Sequence, residues 1–178
     1  GGMAGALVVE GALDEVPGIA GLPERILVLG TSEFADDGTL KLFADMLNPS
    51  VFVNGQDQPT IAIAPGETQR WRIANASVFT FLDLALEGHL LHQIASDGNP
   101  LRALRSFEHI LVAPGERIEV LVQGGPAGSY ALRSLAWGQD TDFQAQDEYP
   151  IATLVSDGPV QELAHLPDDL FPFEDLRE

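Results

Sequence analysis

Four histidines are the first residues to weigh for chemistry: His89, His92, His109 and His165. Only His89 and His92 stand close enough in sequence to suggest a shared metal. Both fall on or beside a segment that reads as a strand. There, residues three apart point to opposite faces and lie roughly 10 Å apart along the chain. One metal ion does not readily take both, so they read as surface or hydrogen-bonded structural histidines. No His-x-His occurs and the chain has no cysteine, which removes disulfides and any thiolate metal site. Paired carboxylates occur at Asp36-Asp37, Asp140 with Asp142, Asp147-Glu148 and Asp168-Asp169. None has the spacing of a calcium loop. Asp36-Asp37-Gly38 reads as a hairpin turn. The Asp140–Glu148 stretch offers at most weak surface binding of a cation, and a solvated loop is the simpler reading. A nucleophile elbow and a phosphate-cradling glycine loop are both missing. Asn75-Ala76-Ser77 matches a glycosylation sequon but reads as the end of a strand. No residue is therefore assigned a catalytic, cofactor-binding or metal-binding role.

The balance of charge excludes further classes. The chain has 178 residues, with 27 acidic against 9 basic side chains and a net charge of −18. Nucleic-acid binding needs clustered Lys and Arg, and anionic membranes repel such a surface. No apolar run approaches the ~20 residues of a membrane helix, so membrane insertion is not expected. With 45% hydrophobic residues the chain can bury a core. The opening Gly1-Gly2-Met3 reads as an excised segment or a tag remnant, with no signal peptide.

The elements that would carry these residues are short and β-like. Gly5–Glu10, Arg25–Leu29, Val51–Val53, Thr60–Ala64, Thr68–Asn75, Asp83–Leu86, Leu90–Ser96, Ile110–Ala113, Arg117–Gln123, Ser129–Leu135 and Ile151–Ser156 read as strands. Asn54-Gly55 marks a tight reversal. Pro65-Gly66-Glu67 and Pro114-Gly115-Glu116 share a type II turn pattern, and IAIAPGETQRWRI echoes ILVAPGERIEVLV. That echo suggests a sheet built from similar hairpins. On Thr68–Asn75, Trp71 and Ile73 face one side while Arg70 and Arg72 face the other. Trp71, Ile73, Ile94, Leu111, Ile118 and Val120 are the expected core, whereas Tyr130 and Trp137 are core or interface. A short helix is expected over Thr39–Met46. Gly11–Pro23 reads as a linker, Gly138–Pro150 as a long polar loop, and Gly158–Glu178 as an extended exit segment. Strands at this spacing make an all-β sandwich or barrel.

The run VNGQDQPTIAIAPGETQRWRIANAS, followed in order by GHLLHQIASDGNPL, ILVAPGERIEVLV and GSYALRS, resembles the second domain of multicopper oxidases, the laccase-like enzymes. The resemblance covers Arg25 to Gly158. It implies a Greek-key cupredoxin-like fold and four parts. Residues 1–11 resemble the last strand of a preceding cupredoxin domain, 12–24 a linker, 25–158 the cupredoxin-like domain and 159–178 an exit linker. It also implies neighbouring cupredoxin domains as partners, and export to the periplasm or secretion. In such a parent copper sits in the other domains, and the middle domain is a copper-free spacer. No copper ligand of the family has a matching position here, and blue copper needs a thiolate that this chain lacks.

The expected function is that of a non-catalytic domain of a copper oxidase, whose parent oxidises phenols or metal ions and reduces dioxygen to water. The alternative is a domain of a copper-less scaffold of the same architecture, acting in cell division or the envelope. A freestanding binding module is disfavoured, because both ends resemble domain junctions.

Overall fold

The computed structural model describes residues 4–41, 49–138 and 147–170. Twelve strands among them form two sheets packed face to face. The seven-stranded sheet contains β1 (Glu24–Ser32), β2 (Ser50–Val53), β3 (Gln56–Asp57), β5 (Thr68–Asn75), β7 (Leu91–Ser96), β8 (Asn99–Phe107) and β10 (Arg117–Gln123). Its order is β3-β2-β1-β5-β10-β7-β8, with β1 and β5 parallel and its other pairs antiparallel. The five-stranded sheet contains β4 (Thr60–Ile63), β6 (Leu82–Leu86), β9 (His109–Val112), β11 (Gly128–Leu135) and β12 (Tyr149–Ser156), in the order β4-β12-β11-β6-β9. The all-β sandwich expected from the strand spacing is thus the observed architecture.

The main core lies between the sheets. Trp71 and Ile73 from β5, Ile118 and Val120 from β10, and Leu82 and Leu84 from β6 are all essentially inaccessible to solvent. Their alternation along each strand is what allows one face to be buried. Ile94 is buried too, but in a second cluster on the outer side of the seven-stranded sheet. Leu111 corrects the expectation: it is 40% exposed, and Val112 next to it takes the core position at 0%. On β9, a short edge strand, Val112 takes the inward position that Ile63 holds at the matching place in β4, and Leu111 between the inward positions faces out.

The two Pro-Gly-Glu turns do not close hairpins. Each carries the chain from the five-stranded sheet into the seven-stranded one, β4 to β5 and β9 to β10. The local device is the same in both. Gly66 (φ 80°) and Gly115 (φ 82°) take the left-handed position the turn requires. Glu67 and Glu116 accept the backbone N–H of Ala64 and Ala113, at 2.6 and 2.8 Å. The sequence echo therefore marks a repeated crossing between layers. Asn54-Gly55 and Asp97-Gly98 do close tight reversals, with both residues of each pair at positive φ. Asn54 also accepts from Val28 N–H at 2.9 Å and donates to the Ile26 carbonyl at 2.8 Å, pinning this turn to β1.

Other local expectations change. Gly5–Glu10 is not a strand: it runs without a sheet partner among the described residues, with Leu7 91% and Val9 77% exposed. Its side chains have the period of a strand, but no sheet edge lies alongside to complete one. Gly11–Pro23, read as a linker, packs onto the sheet through a 3-10 turn at Ala12–Glu15 and buries Leu13 and Ile19. β8 escaped the sequence reading because, as an edge strand with Pro100, Arg102 and Arg105, it buries neither face cleanly. Most of the helix expected over Thr39–Met46 lies outside the described residues. Within them, Leu40 bridges Phe34 across the turn at Asp36-Asp37-Gly38.

Trp71→Ala is expected to cost roughly 3–5 kcal/mol in urea unfolding, through the cavity it leaves. Leu111→Ala, on the exposed side of an edge strand, should stay within about 0.5 kcal/mol.

Candidate functional site

The densest chemistry in the fold lies on the outer face of β5. Arg70 and Arg72 are two residues apart and so emerge on the same face. On that face, opposite Trp71 and Ile73, Arg70 is only 2% exposed. Glu24, on parallel β1, stands in register with Arg70, and Glu119, on antiparallel β10, stands in register with Arg72. Asp14, from the 3-10 turn, closes the cluster from above. Its Oδ1 accepts from Arg70 Nη1 and from Arg72 Nη2, each at 2.6 Å. Glu119 accepts from Arg70 Nε at 2.8 Å and from Arg72 Nη1 at 3.2 Å, and Glu24 accepts from Arg72 Nη2 at 2.9 Å. Three carboxylates thus surround two guanidinium groups.

Burial pushes the Asp14 carboxyl up, but the Gly11 N–H and the two arginines outweigh it and bring it from 3.8 down to about 2. Burial likewise works against the charged form of Arg72, and Glu24, Glu119 and Asp14 raise its pKa despite that. A groove of about 520 Å³ runs beside the cluster, between residues 6–14 and the sheet, lined by Val8, Ile26, Arg72, Ala74 and Pro100 among others.

The histidines are not brought together. His89 lies between β6 and β7, where its Nδ1 contacts the Glu87 carbonyl at 2.6 Å and its Nε2 accepts from Gly125 N–H at 3.1 Å. Its ring meets Tyr130 edge-on, so Tyr130 is a half-buried partner of the core. His92, on the seven-stranded sheet, contacts Ser106 Oγ at 2.8 Å, and burial lowers its pKa. His109, on the five-stranded sheet, pairs with Asp83 at 2.8 Å. His165 is exposed on the C-terminal segment. Among the described residues no three His, Asp or Glu side chains gather as a metal could use them. Residues 139–146 of the acidic loop lie outside the described residues. Trp137, at the start of that loop, stacks on Phe81 with ring centroids 4.4 Å apart.

The sequon is structural. Asn75 is 1% exposed, and its amide donates to the carbonyls of Thr80 and Val112 at 2.8 and 2.9 Å. Its oxygen accepts from Ser77 N–H and Ser77 Oγ. A side chain committed in this way has no face left for a glycan.

Sequence reasoning missed the roles of Asp14, Glu24 and Glu119. The available signal was Arg70-x-Arg72 itself, since two cations on one strand face in an acidic chain call for carboxylates on the neighbouring strands. Asp14 had no such signal, because it arrives from a segment read as a linker.

Comparison with known proteins gives one direction. The family described as multicopper oxidase matches residues 8–159. The cell division protein FtsP of Glaesserella parasuis is 33% identical over 149 residues, covering 80% of this chain and 31% of that protein. Laccase-15 of rice (Oryza sativa subsp. japonica) is 34% identical over 79 residues, covering 43% of this chain and 13% of that protein. The chain therefore spans about a third or less of the length of these relatives. Among solved structures, a metallo-oxidase from Campylobacter jejuni superposes with a TM-score of 0.75 at 24% identity, covering 95% of this chain and 35% of that one. A variant of the multicopper oxidase McoA from Aquifex aeolicus gives 0.77 at 21% identity, covering 88% and 36%. At these identities the superpositions establish the fold, a cupredoxin-like sandwich.

The depressed pKa of Asp14 sets a pH window. A carboxyl more acidic when folded stabilises fully above its unfolded value and loses that contribution as pH falls through the folded one. Asp14→Asn should therefore cost roughly 1.5–3 kcal/mol near neutral pH, the scale of charged hydrogen bonds. The difference from the parent sequence should shrink between about pH 4 and pH 2 in urea unfolding.

Proposed function

This chain belongs to the multicopper oxidase family, and from that membership we propose that it is the middle cupredoxin domain of a larger parent, free of copper and of catalysis. Its work there is to hold flanking cupredoxin domains in place. Members of the family bind copper and carry several cupredoxin domains in one chain. The proposed parent oxidises phenols or metal ions at copper held by the outer domains and is exported to the periplasm or secreted.

The supporting observation is how the possible ligands of this chain are spent. Both ring nitrogens of His89 are engaged within the protein, His109 is tied to Asp83, and Asp14, Glu24 and Glu119 serve Arg70 and Arg72. With no thiolate in the sequence and the histidines on separate elements, the described residues do not offer the ligand set of a blue-copper centre. No helix among the described residues is long and apolar enough to cross a membrane.

A second reading keeps the structural role and changes the parent. The likeness to FtsP extends over 80% of the chain, against 43% for the rice laccase. That breadth favours a parent that serves as a scaffold in cell division. The two parents differ in their outer domains, where an oxidase carries His-x-His and His-Cys-His ligand segments and a scaffold does not.

Incubated with copper and then desalted, the chain should retain well under one equivalent of metal, show no blue-copper absorption and oxidise no phenol. Stoichiometric copper with an absorption band and turnover would overturn the proposal.

A further inference from the structure

Two segments outside the sandwich cover the same outer face of the seven-stranded sheet. The N-terminal one, residues 11–22, lays Leu13 and Ile19 over Ile94, Ala95 and Leu121. The C-terminal one, residues 161–170, adds Leu170 to the same buried cluster, with Leu166 packed against it. They come from opposite ends of the chain, yet they touch. A Cβ placed on Gly18 would lie 3.4 Å from Pro167 Cδ and 3.6 Å from the His165 carbonyl oxygen.

Each segment also has its own polar anchors. Asp14 holds the first to Arg70 and Arg72. The second is held by Gln161 N–H donating to the Pro65 carbonyl at 2.8 Å and by Gln123 Nε2 donating to the Ala164 carbonyl at 2.8 Å. Leu170 N–H donates to the Arg102 carbonyl at 3.0 Å, beside a bridge from Ala103 to Asp169. That bridge caps part of the free edge of β8.

We infer that these two segments form a single clasp that opens and closes as a unit, separately from the sandwich beneath it. The physical reason is the shared cluster. If one segment lifts, the apolar side chains of the other keep a partner on one side only and face a half-empty cavity. Neither can hold the cluster shut alone, because Leu13 and Ile19 come from one and Leu170 from the other. The sheets have a separate core under Trp71 and Val120 that does not need the clasp. Opening bares Leu121 and Ile94 and frees the β8 edge. Local units of this kind open below the free energy of global unfolding. The inference concerns segments of this chain alone and holds for an oxidase or a scaffold parent.

Amide hydrogen exchange on the full chain tests it. In the unsubstituted protein, the amides of Ile19 and Ala20, bonded to the Val16 carbonyl, and of Leu170, bonded to the Arg102 carbonyl, should report one common opening free energy. That energy should be lower than the one reported by Val120 and Leu132 in the strands. Leu170→Ala should speed exchange at Ile19 and Ala20, and Leu13→Ala should speed it at Leu170, each on the order of tenfold. If Leu170→Ala does not fold, Leu170→Val gives the same readings with a smaller factor. The clasp is overturned if each substitution speeds only its own segment, or if both segments exchange as slowly as the strands.

Discussion

Two guanidinium groups on one face of a central strand are tolerated only when carboxylates enclose them. Arg70 and Arg72 impose this condition on the outer layer of the molecule. A lone buried charge is far more costly than a paired one, so Arg70, at 2% exposure, must find partners. β1 and β10 supply Glu24 and Glu119 through their register with β5. Asp14 arrives from outside the sheet and brings residues 11–22 with it. Strand β5 thus does two jobs: Trp71 and Ile73 anchor the space between the sheets, and Arg70 and Arg72 anchor what covers the outside.

The same condition explains why, among the described residues, so many carboxylates and imidazoles are engaged within the fold. Carboxylates and imidazoles are used where the backbone or an arginine needs them, as with Glu67 and Glu116 at the crossing turns and His89 on Gly125. Multicopper oxidases, the family to which this chain belongs, carry several cupredoxin domains in one chain.

Much of the fold was legible because two-residue periodicity and turn chemistry report local geometry. Arg117–Gln123 and Thr68–Asn75 were read with the boundaries they have. Partner choice was less legible. The Pro-Gly-Glu echo fixed two turns but not whether the flanking strands pair, and they lie in different sheets. Gly5–Glu10 has strand periodicity without a sheet to join. β8 pairs through its backbone while its side chains show no clear pattern. At the site, the strand-face argument from the histidine spacing does not apply, because His89 lies in the turn between β6 and β7 and only His92 is on β7. The ion cluster was legible only in part: Arg70-x-Arg72 calls for carboxylates on the neighbouring strands, but Asp14 comes from a segment read as a linker.

Asp14 holds the outer layer through the arginines rather than sitting as a surface carboxylate. A double-mutant cycle between Asp14→Asn and Arg72→Gln, read by urea unfolding near neutral pH, measures this directly. The expected coupling is about 0.5–3 kcal/mol, the range for residues sharing one ion-pair network. A coupling within about 0.3 kcal/mol of zero would mean that the two side chains act independently and that the cluster does not hold the outer layer in place.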